Sequence, residues 1–455
     1  MSERIRRLRE QSIETKPYIS TERAELITDF YKNGDADILS KPTARASSFR
    51  FLLRNKEIYI GDDELIVGER GPSPRATPTY PELCCHSIAD LEACDRRIRS
   101  RFIVSDATRE TYHDEIIPFW HGRTMQERVF AAMSDEWMAA FEAGVFTEFM
   151  EQRAPGHAIL DDKIYRRGML EIIQDIDEHL TKVDFYNDPD AYAKDQNLRA
   201  MRVAAESIIE YAQRHADKAL ELSKTETNPE RKKELEKIAD VCGHVPANAP
   251  RDFWEALQSY WFVHLGVITE LNVWDSFNPG RLDLHLHPFY ENETKSGKLT
   301  REFAKELLEC FWIKFHNQPA PPKVDITEQQ SGTYQDFTLI NTGGLTVEGA
   351  DAVNGLSYLL LEVCEEMQLI MPSVCIQISE HNPDEFLLRG IDVVRTGLGQ
   401  PSMFNTDVII EEFLRMGKSI EDARLGGPSG CVTIGSFGKE SVILTGYMNW
   451  PKILE

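Results

Sequence analysis

Apolar residues recur every three to four positions through much of the first 270 residues, over roughly 2–14, 21–32, 124–151, 196–223, 229–241 and 250–270. This spacing gives a helix one apolar face, and each such face needs a surface to cover. The last of these runs, Asp252-Phe253-Trp254-Glu255-Ala256-Leu257, opens just behind Pro250, as helices often do. Further on the pattern shortens. β-like runs stand at Phe337-Thr338-Leu339-Ile340, Ser373-Val374-Cys375-Ile376-Gln377-Ile378, Met403-Phe404 and Cys431-Val432-Thr433-Ile434, with helical stretches near 298–317, 350–369, 383–396 and 407–416 between them. Strand alternating with helix predicts right-handed crossovers that build a parallel sheet with helices outside. Such a sheet buries both faces, so a group at the end of one of its strands is expected inside a cavity. No repeat, low-complexity tract or Ser/Gly/Pro-rich linker divides the chain, and residues 1–455 read as one α/β domain.

Composition narrows the classes. At 42% hydrophobic and 9% aromatic the chain carries enough apolar material for a large core,. Acidic residues number 75 against 51 basic ones, a formal net charge of −24. That field repels phosphate backbones and anionic lipid, so neither nucleic acid nor membrane is an expected partner. The N-terminus, Met1-Ser2-Glu3-Arg4-Ile5-Arg6-Arg7-Leu8, lacks the apolar stretch of a signal peptide, and no long apolar segment follows, which predicts a cytoplasmic protein with reduced thiols. Eight cysteines, at 84, 85, 94, 242, 310, 364, 375 and 431, form neither a CxxC pair nor a zinc-spaced cluster, so no metal is indicated. Cys84-Cys85 follow the Tyr80-Pro81 turn without a glycine-rich tip and read as structural,.

Cys431 has a different setting. In Gly426-Gly427-Pro428-Ser429-Gly430-Cys431-Val432-Thr433-Ile434-Gly435 the glycines and proline allow a sharp turn and close approach of a small substrate,. If a strand begins at Cys431, alternation turns Cys431 and Thr433 toward one cavity. Three other segments set polar groups among aromatic or glycine-rich neighbours. Asp275, between Trp274 and Phe277 and ahead of Pro279-Gly280, is placed to bind a substrate amine or hydroxyl or to move a proton; it could equally cap the next segment or pair with Arg281,. Ser331 and Asp336 precede a strand, where parallel α/β folds gather ligands, yet either also suits an ordinary turn,. His157, after Pro155-Gly156, is a proton shuttle if it enters the cavity and a structural histidine if it does not,. His285-Leu286-His287 has alternating spacing, but nothing downstream supplies further metal ligands.

Taken in order, Arg4-Ile5-Arg6-Arg7-Leu8-Arg9-Glu10, Lys16-Pro17-Tyr18-Ile19-Ser20, Tyr80-Pro81-Glu82-Leu83, Trp274-Asp275-Ser276-Phe277-Asn278-Pro279-Gly280-Arg281, Gly343-Gly344-Leu345-Thr346, Pro401-Ser402-Met403-Phe404-Asn405 and Ser429-Gly430-Cys431-Val432 resemble the glycyl radical enzymes of the pyruvate formate-lyase superfamily. The texture is nearest the dehydratase branch. The resemblance implies half of a ten-stranded α/β barrel, a parallel five-stranded half-barrel wrapped by helices. It implies a thiyl radical on Cys431 and no cofactor bound directly. The radical would come from a glycine, charged by a partner activating enzyme that uses S-adenosylmethionine and an iron–sulfur cluster. It further implies a small-molecule substrate and a homodimer in the full-length form. By the same resemblance Asp275, His157, Ser331, Asp336 and Tyr447 fall where these enzymes hold substrate.

Two departures follow from the comparison of motifs. The dehydratases place a glutamate base two residues past the cysteine, whereas this chain has Thr433. A hydroxyl cannot accept a proton near neutrality, so either Asp275, Asp336 or His157 takes that role, or the reaction needs no such base. The glycine-bearing Arg-Val-x-Gly-Tyr loop is absent from the 455 residues. The expectation is the thiyl-bearing part of a glycyl radical lyase, truncated or split, incomplete without a glycine segment and inactive alone; a C-terminal half as a separate chain would complete it. A non-catalytic paralogue that binds a metabolite, or an interaction subunit of a split enzyme, are the alternatives.

Overall fold

The Phe253–Glu270 helix is the spine of the molecule. Asp252 caps it, its carboxylate accepting from the Glu255 amide at 2.8 Å, and nearly every side chain along it is buried. A helix apolar on all sides has to lie in a core, and this one is enclosed by Arg301–His316, Leu282–Lys295, Pro229–His244 and Ala191–Thr225. Its polar groups are matched to the neighbouring loop. Gln258 exchanges two hydrogen bonds of 2.9 Å with the Val67 backbone, and Trp261 Nε1 donates to Gly68 O at 2.9 Å, as buried polar atoms require. The computed structural model describes residues 1–148, 157–158, 160–271, 277–324, 337–441 and 446–455.

Helices Leu282–Lys295 and Gly355–Met367 pack on a parallel sheet in the order Gly280–Arg281, Leu339–Gly343, Ser373–Ile378, Ser402–Asn405. Helices Gly355–Met367 and Asp384–Val394 make its last two crossovers. Leu339–Gly343 is buried at every position, as expected for a parallel strand covered on both faces,. Ser402–Asn405, at the edge, is mostly exposed.

Two sequence expectations change in the folded chain. The helix expected over 124–151 is two helices, Met125–Ala132 and Asp135–Glu142, because Ser134 caps the second by accepting from the Trp137 amide,. The strand Phe146–Glu148 then pairs antiparallel with Gly446–Met448. His285-Leu286-His287, set aside as a metal pair, lies in the Leu282–Lys295 helix, where positions two apart face nearly opposite sides. The run Cys431–Ile434 does not join the parallel sheet. Gly427–Ser429 and Thr433–Gly435 form an antiparallel hairpin, with Ser429 opposite Thr433 and Gly430 at φ +55° turning the chain. Among the described residues the parallel sheet therefore has four strands, where five are expected of the half-barrel. None of the eight cysteines forms a disulfide; Cys84 is buried, and burial pushes the Cys85 thiol up to about 12, in keeping with the structural role read from their setting.

Candidate functional site

Cys431 sits at the tip of the hairpin and is exposed, as is its neighbour Val432 at 73%. This corrects the expectation that a strand carries the thiol into an enclosed cavity: a turn, not a strand, presents it. Thr433 begins the returning limb and is half-buried.

What fixes the tip is a set of buried amides beneath the hairpin. Asn341, on the second sheet strand, donates to Pro428 O at 3.1 Å. Its Oδ1 accepts from Gln377 Nε2 on the third strand at 3.0 Å, with the Cys375 thiol at 3.2 Å. Asn278 donates to Ser429 Oγ at 2.6 Å, while its own Oδ1 accepts from the Gly280 amide at 2.9 Å. Asn278 and Asn341 are paired at both ends of their amides, and Gln377 through its Nε2, while Gln377 Oε1 is buried without a partner among the described residues,. The hairpin lies directly on them: a Cβ at Gly427 would stand 2.2 Å from Gln377 Nε2 and 3.1 Å from Asn341 Oδ1, so only glycine fits there.

His157 belongs to this assembly. It forms a β-bridge with Phe277, accepts a 3.4 Å bond from the Asn278 amide, and stands with its ring against the hairpin, Nδ1 lying 2.9 Å from where a Gly435 Cβ would be. The side chain is 1% exposed, and neither ring nitrogen has a hydrogen-bond partner among the described residues. Burial lowers its pKa to about 4; the Glu440 carboxylate opposes that shift and the Lys418 ammonium adds to it. At neutral pH the ring is therefore an uncharged imidazole able to accept a proton or a hydrogen bond.

A second imidazole lies nearby. His285 Nε2 is 2.8 Å from Asp161 Oδ1, and Asp161 in turn reaches within 3.2 Å of where a Gly280 Cβ would be. The Tyr165 ring stacks on His285 at 5.5 Å. Arg281, fully buried, donates to the carbonyls of Gly343 and Arg424, and Asp283 accepts from the Gly343 amide at 2.7 Å and Ser357 Oγ at 2.6 Å. Burial raises the Asp283 carboxyl, with Arg281 acting the other way.

The structure thus brings His157 and Thr433 into one neighbourhood with the hairpin that carries Cys431. Tyr447 is on a different element: it is 59% exposed in the Gly446–Met448 strand, opposite Thr147. Asp275, Ser331 and Asp336 lie outside the described residues. Asn278, Asn341, Gln377 and the Asp161–His285 pair carry no assignment from the sequence. Asn278 stands directly before Pro279-Gly280 and Asn341 two residues before Gly343-Gly344, so position beside a turn is an available signal for both; His285 is visible only in its alternation with His287, and nothing in the sequence joins it to Asp161, 124 residues away. Among the described residues no group of three or more His, Cys, Asp or Glu side chains could hold a metal ion, and no helix is long and apolar enough to cross a membrane.

Residues 1–455 match a family model described as pyruvate formate lyase-like. The chain is 51% identical over 453 residues to the trans-4-hydroxy-L-proline dehydratase of Clostridioides difficile, covering 100% of this chain and 57% of that one. It is 30% identical to an isethionate sulfite-lyase of Oleidesulfovibrio alaskensis, over 97% of this chain and 54% of the relative. The crystal structure of the C. difficile hydroxyproline dehydratase with trans-4-hydroxy-L-proline bound superposes with a TM-score of 0.96, over 100% of this chain and 57% of the other. A glycerol-bound B12-independent glycerol dehydratase from Clostridium butyricum gives 0.90 at 32% identity, over 96% and 55%. The chain spans a little over half the length of these relatives.

Proposed function

Because the chain belongs to the pyruvate formate lyase-like family along its whole length, we propose that it is the thiyl-bearing part of a glycyl radical lyase or dehydratase acting on a small, polar, hydroxyl-bearing metabolite. The observation that carries this reading is the thiol of Cys431 at the tip of a hairpin whose base is bolted to buried Asn278, Asn341 and Gln377. Ordinary thiol catalysis needs a cationic neighbour to make a thiolate, whereas hydrogen-atom transfer needs a rigidly placed S–H and no charge. The substrates named for the relatives, trans-4-hydroxy-L-proline, isethionate and glycerol, all carry a hydroxyl on a saturated carbon, and this supports the substrate class.

In the proposed cycle the sulfur of Cys431 takes one hydrogen atom from a substrate C–H bond, leaving S–H and a carbon radical. After the leaving group departs, the same S–H returns one hydrogen atom to the product radical, so the sulfur ends as it began. A glycyl radical, installed by an activating enzyme with S-adenosylmethionine and an iron–sulfur cluster, would supply the unpaired electron; its glycine belongs to sequence outside residues 1–455, in the same polypeptide or in a second one. His157, neutral and with its ring unpartnered, is the group among the described residues best suited to take the substrate hydroxyl proton in place of the carboxylate that Thr433 lacks. Asp275, Ser331, Asp336 and Tyr447 remain proposed substrate contacts. The residues serve such a reaction only where water is excluded, so the exposed tip of Cys431 has to be covered in the active assembly.

The experiment combines the chain with its glycine-bearing complement and an activating enzyme under anaerobic conditions. Electron paramagnetic resonance reads the glycyl signal, and turnover is followed on hydroxylated small metabolites. The proposal expects a glycyl signal in both wild type and Cys431→Ser, with turnover only in the former. Turnover by Cys431→Ser at the wild-type rate rejects it.

A further inference from the structure

The N-terminal helices line an open cavity of about 540 Å³ that shares no lining residue with the hairpin, a volume typical of small-molecule sites. Its apolar wall is formed by Ile27, Tyr31, Leu52, Phe119 and Trp120. Ile27, Leu52 and Trp120 belong to a buried apolar cluster of their own, and Tyr31 meets Trp120 edge-on at 5.6 Å, so this wall is a packed surface.

The charges around the cavity are unbalanced. Eight charged side chains line it, and four of them are consumed in two pairs, Arg23 with Glu82 and Arg45 with Glu270. Of the remaining four, three are cations, Lys41, Arg123 and Arg128, and one is a carboxylate, Asp37. None of the three cations has an ion-pair partner among the described residues. The Arg123 guanidinium instead lies 4.7 Å from the Phe119 ring centroid, which keeps its donor edges available. Three unpaired cations gathered on a chain of net charge −24 repel one another unless an anion joins them. Aromatic faces beside guanidinium groups suit a ligand with a flat apolar body and one anionic head.

We propose that this cavity is a second ligand site, separate from the cysteine hairpin, for an amphipathic organic anion whose ring packs on Tyr31, Phe119 and Trp120 and whose carboxylate meets Arg123 and Arg128. Its floor is joined to the spine. Arg23, a lining residue, donates to Thr269 O at 2.7 Å and stacks on Tyr80, which donates to Ile268 O, so the cavity wall is tied to the last turn of the Phe253–Glu270 helix.

The test is calorimetric titration of 2-naphthoate into the 455-residue chain at low ionic strength, with 2-naphthamide as the neutral control. Saturable one-to-one binding is expected, weakened about tenfold or more in an Arg123→Gln/Arg128→Gln double variant and unchanged in Cys431→Ser. Both arginines are exposed, so the double variant keeps its fold, which circular dichroism verifies. Absence of saturable binding up to about 10 mM, equal affinity for the neutral amide, or an affinity unmoved by the double substitution each overturns the proposal.

Discussion

Acidification should charge His157 at the cost of the fold. The imidazole titrates near 6.5 when solvated and near 4 in the folded chain, because burial penalises the charged ring and Lys418 adds to that penalty while Glu440 only partly offsets it. The unfolded chain therefore binds the proton first. Stability is fully present above about pH 6.5 and is lost as pH falls from there toward 4,. A shift of this size amounts to about 1.4 kcal/mol at about pH 5.5 and about 3 kcal/mol below pH 4. His215, His264 and His316, each lowered to about 3 by burial, act in the same direction, so a variant is needed to isolate one ring. His157→Asn serves, since asparagine does not titrate and tolerates the positive φ of 75° at this position,. Urea unfolding at about pH 7.5 and 5.5 should show wild type losing about 1.4 kcal/mol more than the variant. The imidazole Cε1–Hε1 resonance that disappears in the variant should stay at its neutral position at about pH 5.5. A midpoint for that resonance near 6.5, or identical pH dependence of the two proteins, refutes the reasoning and removes the neutral base from the proposed site.

Three further outcomes are expected. Gly427→Ala drives a methyl into Gln377 Nε2 and should lift the hairpin off its amides, costing about 2 kcal/mol or more and raising hydrogen exchange at Gly430–Thr433; unchanged exchange there argues against the tether. Brief iodoacetamide treatment of the native chain should label Cys431, the exposed one of the eight cysteines, well ahead of the other seven, as peptide mapping would reveal. Lys314→Met strips the shared cation from buried Glu64 and Glu69, the latter 2.8 Å from Nζ, and should destabilise by about 3–5 kcal/mol, visible as a large fall in the thermal midpoint.

Elements were legible where local signals agree, a short β-branched apolar run at Ser373–Ile378 and a long apolar run opening behind Pro250 and the Asp252 cap at Phe253–Glu270, because those signals act over a few residues,. Superposition on the glycyl radical dehydratases bears out the fold expected from the ordered motifs. The break at Ser134 was also local, but a hydroxyl cap inside a periodic run is easily outweighed by the period itself. Cys431 was singled out by its glycines; that it tops a hairpin rather than opening a parallel strand depends on Ser429 meeting Thr433 and on Asn341 and Gln377 arriving from two other strands.

The sequence alone determined which residues are amphipathic, which turns need glycine, and that one thiol stands in a loop built for close approach. Only the tertiary structure decided that His157 lies against that loop with its ring dry and unpartnered, that Asp161 meets His285, and that three cations share a cavity with Trp120. Pairing across tens to hundreds of residues is set by how the helices and sheet pack, and packing is a property of the whole chain that no short window of sequence contains.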